Sequence, residues 1–292
     1  MSLLHKRVLG ALEALDAGDG RPGPGGVLDW SLALGSWWIQ RRGDRPASAS
    51  VIDDGGAPPY PTAPPGLSLP MQVAGAAVVV GLARRPQDHN GMVDDAVTLV
   101  EPLSDASVDI AGAAAIAAFF SGLLDGWAME GALAQSLFVA KRAEAFGVVK
   151  GPSVVQAIRD VFDQIDAGQR SRPAPARARV DQGAPAESAA PGAPRLERHE
   201  LVAEALGLAY LCHDALGAIA AGRDRGAGER YLAAMAGMLA AASAPDTLPQ
   251  EVAAGLEERT GLIEVVEDLL AIRTARYSRF PQYADRFRRK KC

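Results

Sequence analysis

The sequence predicts an all-α fold, a single compact multi-helix globule, on three observations. Hydrophobic residues make up 48% of the 292 residues while aromatic residues make up only 5%, and alanine is the commonest residue. A core of Ala, Leu and Val suits closely packed helices better than sheets. Apolar positions recur at helical spacing, and the one short apolar run, residues 78–80, falls inside a helical window. Finally, 22% charged residues leave ample apolar surface for a core and exclude global disorder.

The first helix is predicted at residues 3–15, where Leu4, Val8, Leu12 and Leu15 share a face. Gly18-Asp19-Gly20 ends it, before a Gly/Pro-rich stretch at 21–26. That stretch is rich in glycine, but no strand precedes it, which argues against a phosphate-binding loop. Residues 28–40 form the second helix, with Trp30, Leu34, Trp37 and Trp38 as core anchors. Residues 41–66 read as loop, with a turn at Asp53-Asp54-Gly55-Gly56. A third helix covers 71–82, with Pro70 in its first turn, where a missing N–H costs nothing. Residues 88–99, 104–125, 126–146 and 154–165 follow as helices. The 104–125 helix is capped by Ser104 or Asp105 and buries Val108, Ala111, Ala115, Ala118 and Phe119.

Residues 168–194 are rich in Pro, Ala, Arg and Ser and lack apolar periodicity, so they read as a flexible insertion. Two Ala-rich helices are predicted at 200–220 and 228–242. Thr247 and Gln250 form a capping box opening 251–258. A last helix at 260–276 carries Leu262, Val266, Leu269 and Arg273 on one face. The domain is thus expected to span 1–276. A basic tail at 277–292, with Arg279, Arg286, Arg288, Arg289, Lys290 and Lys291, lies outside its core.

Net charge is −5, so no global basic field recruits nucleic acid. Cys212 and Cys292 lie far apart and the four histidines are scattered, which argues against a disulfide framework or a zinc site. Residues 108–124 contain Asp109 and Ser121 and fall short of the ~20 apolar residues that span a bilayer. With no leader pattern in the first residues, a cytoplasmic protein is expected, without membrane or nucleic-acid partners.

Among acidic residues, Asp53-Asp54 is the most metal-like loop pair, although a polar turn is the favoured reading. Asp94 and Asp95 are adjacent on a helix, so their side chains diverge and a solvated face is expected. His89 and His213 have no metal-ligating partner at helical spacing, and Cys212 beside His213 points elsewhere.

Three stretches carry a resemblance. Gly66-Leu67-Ser68-Leu69-Pro70 leads into an Ala/Val helix, then Leu103-Ser104-Asp105-Ala106 and the Ala-rich 111–122. Tyr231 opens an Ala-rich helix to Ala241, followed by Leu248-Pro249. Gly255 to Arg259 then runs into the last helix. A weaker echo lies in Gly10-Ala11 with Gly18-Asp19-Gly20. The pattern resembles the ADP-ribosylglycohydrolase family. That resemblance implies an all-α fold which hydrolyses bonds to ADP-ribose using two Mg²⁺ ions. In the family their ligands come from an early Thr-Asp-Asp-Thr and a late Asp-x-Asp-Thr/Ser helix start.

Aligning the Ala-rich helix puts Gly228, Arg230 and Tyr231 at the late Asp, Asp and Thr. The early motif has no counterpart, as if the fold were shortened near its N-terminus. A shifted alignment brings Asp224 near the site but no second Asp at i+2. Arginine stays charged and cannot ligate Mg²⁺. The resemblance therefore implies a degenerate member with no cofactor, catalytically inactive and acting through an unidentified protein or anionic ligand. The cationic start of the late helix would favour an anion such as a pyrophosphate. The alternatives are an active hydrolase with an atypical site, using Asp53, Asp54, Asp105 or Asp224, and a purely structural helical scaffold.

Overall fold

Residues 2–21, 25–42, 59–170, 196–225, 228–247 and 261–278 are described by the structure, a computed structural model. They form eleven α-helices: α1 Leu3–Asp19, α2 Val27–Arg42, α3 Leu69–Ala83, α4 His89–Val100, α5 Ser107–Leu124, α6 Met129–Ala143, α7 Val154–Asp166, α8 Arg198–Cys212, α9 Ala215–Arg223, α10 Glu229–Ser243 and α11 Leu262–Ser278. Among the described residues there is no strand, only one isolated parallel bridge between Ala106 and Val149. Asp53-Asp54, the predicted helix at 251–258, most of the 168–194 insertion and the tail from residue 279 lie outside the described residues.

Side-chain caps fix several helix starts. Ser2, Asp88 and Ser153 accept from the backbone N–H of His5, Gly91 and Gln156 at 3.3, 3.1 and 3.2 Å. Gly20 stops α1 in the left-handed conformation, φ 64°. Two expectations are corrected. The cap of α5 is Ala106, not Ser104 or Asp105; Ser104 Oγ instead accepts from the Ala106 N–H at 3.3 Å. The predicted 200–220 helix is two helices. His213 takes φ 55° and ends α8, and Asp214 restarts the chain as α9 by accepting from Gly217 N at 2.7 Å.

Helix α5 is buried along its whole length, with α3, α4, α6, α8 and α10 packed around it. It is long and apolar enough to cross a membrane by length and composition, but here its apolar surface faces other helices. Helix α10 lies against α1, α8 and α9. The α1–α10 approach is so close that a Cβ on Gly18 would sit 2.5 Å from the Ala233 carbonyl oxygen. The tryptophans are core anchors as predicted. Trp30 Nε1 donates to Gln72 O at 2.9 Å, and Tyr60 packs edge-on against Trp37 and donates to Leu99 O at 2.7 Å.

Two buried arginines tie helices together, one between α3 and α4 and one at the C-terminal ends of α3 and α5. Arg84 follows α3 and pairs with Asp95 at 2.5 Å and with Asp88. Burial alone would favour its neutral form, but the two carboxylates outweigh burial and raise its pKa. Arg273, on α11, donates to Gly81 O at 2.9 Å, Ser121 O at 3.0 Å, Ser121 Oγ at 3.1 Å and Asp125 Oδ1 at 2.6 Å, and also to Arg84 O. Carbonyls at helix C-termini lack intrahelical donors and carry the negative end of the dipole, so a guanidinium suits them.

Candidate functional site

The start of α10 is held by contacts within the chain. Gly228 takes φ 90°, a conformation that side chains rarely adopt. Arg230 forms an ion pair with Asp19, and its Nε also donates to the Asp19 carbonyl at 3.0 Å. Asp19 is buried, with its other carboxylate oxygen accepting from the Val27 N–H at 2.9 Å. One carboxylate thus joins the end of α1, the first residue of α2 and the start of α10. Arg223 adds a second cation by donating to Ala17 O at 2.7 Å. Tyr231 is buried, which pushes its phenol well above the usual tyrosine range, and the charge of Asp109 adds to the push.

Before α5, Asp105 is exposed and contributes its carbonyl, which accepts from Val148 N at 2.8 Å and Val149 N at 3.1 Å. The carboxylate that organises this corner is Asp109, buried and bonded by Ser104 Oγ at 2.5 Å and by Arg198 from the start of α8. Asp224 is exposed just past the end of α9. Among the described residues, no group of three or more His, Cys, Asp or Glu side chains is placed to hold a metal. Asp95 corrects the expected solvated pair: Asp94 is exposed, but Asp95 is buried against Arg84. His89 packs edge-on against Phe138, and Cys212 is buried at the end of α8.

Among the described residues, the surface clefts include two with room for a ligand or partner. One, of about 510 Å³, lies between α4 and α6 and is lined by Asn90, Val93, Asp94, Arg142 and Phe146. The other, of about 340 Å³, lies between α7 and α8, walled by Ala157, Val161 and Ala203 and edged by Gln156, Gln164 and His199. At its base Glu204, 5% exposed, is paired with Arg170 and with Arg225 at 3.0 Å.

No protein-family model and no curated protein matches the chain. Its chemistry is read from its own side chains. The sequence reading missed the Asp19–Arg230, Asp109–Arg198 and Glu204–Arg170 pairs. These join residues 211, 89 and 34 positions apart. Local spacing carries no signal for such pairs. The only pointer was the Gly18-Asp19-Gly20 echo.

Proposed function

We propose that this chain is a degenerate, catalytically silent protein of the ADP-ribosylglycohydrolase type, acting by binding a ligand or a protein partner. The observation that carries the proposal is the ion pair of Arg230 with buried Asp19. Two Mg²⁺ ions held a few ångströms apart repel strongly unless several carboxylates neutralise them. The residues at the start of α10 do not fit such a pair. Gly228 brings no oxygen ligand, Arg230 brings a permanent cation, and the Tyr231 hydroxyl is buried in its neutral form. Of the carboxylates near this helix start, Asp19 already has a guanidinium on one oxygen and a backbone N–H on the other, and Asp109 is paired with Arg198.

The same pair speaks against the α10 start as an anion seat, since the Arg230 charge is already matched. For a small polar ligand the α7–α8 cleft offers the better seat, with apolar walls and amide and imidazole groups at its edge. The test is release of ADP-ribose from ADP-ribosylated arginine with millimolar Mg²⁺. No metal-dependent release above background is expected; clear metal-dependent turnover would restore the hydrolase reading.

A further inference from the structure

Four of the six large hydrophobic side chains that the described residues expose lie close together in the chain: Phe138, Phe146, Val148 and Val149, exposed by 48, 40, 85 and 52%. Single exposed hydrophobes are ordinary, whereas a grouped set marks a contact surface. The structure links Phe138 and Phe146 to the α4–α6 groove. His89 packs on Phe138 with centroids 4.8 Å apart, the Arg142 guanidinium lies 5.8 Å from the Phe138 ring, and Arg142 and Phe146 line the groove together.

The groove also carries one charge of each sign. Arg142, exposed, donates to the neutral Asn90 Oδ1 at 2.5 Å and makes no ion pair among the described residues. Asp94, exposed on the opposite wall, has a carboxylate without an ion pair or hydrogen bond among the described residues. A surface with an apolar centre and opposite charges on its two walls is complementary to itself. Under a two-fold axis, each cation of one copy meets the anion of the other, twice per interface. We infer that this groove is the seat of a second copy of the chain, in an isologous dimer centred on Phe146 with Arg142 facing the partner's Asp94. The inference stands on the groove alone and does not depend on the family reading.

Sedimentation equilibrium on the full chain tests it. The wild type should dimerise, and Asp94→Arg and Arg142→Asp should each weaken dimerisation by about tenfold or more, because like charges then meet twice. Two controls are specific to a two-fold contact. The double variant should dimerise again, and an equimolar mixture of the two single variants should form a heterodimer. Circular dichroism checks that each variant keeps its helices, as exposed positions allow. A monomeric wild type would overturn the inference. So would single variants that dimerise normally, failure of the mixture to pair, or a groove that takes only an unrelated protein.

Discussion

Asp19 shows how much one carboxylate does in this molecule. It is buried, and its two oxygens are divided between a guanidinium and the first N–H of α2. Removing one member of a fully buried pair costs about 3–5 kcal/mol, because the other charge is left without compensation. The Arg230 side chain keeps 39% of its surface exposed, so water screens part of that cost. Arg230→Ala is therefore expected to destabilise the fold by about 2 kcal/mol, less than the fully buried figure. Asp19→Asn combined with Arg230→Met should recover much of the loss, read as midpoints of urea unfolding for the wild type and the two variants. A double variant no better than Arg230→Ala would mean that the pair is not what holds these helix ends.

The helices themselves were largely legible. Leu4, Val8, Leu12 and Leu15 on α1, and Trp30 and Leu34 on α2, announce their buried faces by spacing alone. The division between α8 and α9 was not legible. Ala-rich periodicity runs straight through it, and the break rests on His213 in the left-handed conformation followed by the Asp214 cap. Polar residues within a helix are equally opaque. Asp94 and Asp95 are indistinguishable in sequence, and only the position of Arg84, from another element, decides which is buried.

One junction between elements makes a prediction about pH. Glu144, just past α6, accepts from Ser153 Oγ at 2.6 Å and from Val155 N at 3.2 Å, so it ties α6 to the start of α7. Burial by itself raises its pKa, but these hydrogen bonds and Lys141 outweigh burial and hold the carboxyl below the usual glutamate range. Between the folded and unfolded pKa values the unfolded chain binds more protons, so stability rises with pH there. The contribution is complete above the unfolded value, about 4.3, and disappears as pH falls through the lower folded one. Glu144→Gln should thus cost about 1 kcal/mol near neutrality. The gap to the wild type should close in acid, as measured by unfolding midpoints across pH. A pH-independent difference would assign the effect to shape, not charge.

At the scale of the whole molecule, α11 is fastened through Arg273. Sequence spacing placed this arginine on the buried face with Leu262, Val266 and Leu269 but gave no hint of its partners. Those are Gly81, Arg84, Ser121 and Asp125, on or just beyond two other helices. The fan of planar donors reaches several carbonyls at once, which the point charge of a lysine cannot do. Arg273→Met should cost about 3–5 kcal/mol, since a carboxylate and several carbonyls lose their donor. Arg273→Lys should recover only a minor part, read as a loss of melting temperature in both variants. Full rescue by lysine would show that charge alone matters at this junction.

The candidate site was legible only in part. The sequence singled out Gly228, Arg230 and Tyr231 but offered no view of Asp19 across the fold, and its acidic candidates Asp105 and Asp224 are exposed on separate elements. We propose that the guanidinium matched to Asp19 makes the start of α10 unfit for a pair of Mg²⁺ ions. Isothermal titration of the purified chain with Mg²⁺ tests this most directly. The account predicts no binding in the micromolar range and no change when Arg230 is replaced by lysine. Micromolar binding of two ions per chain would contradict it.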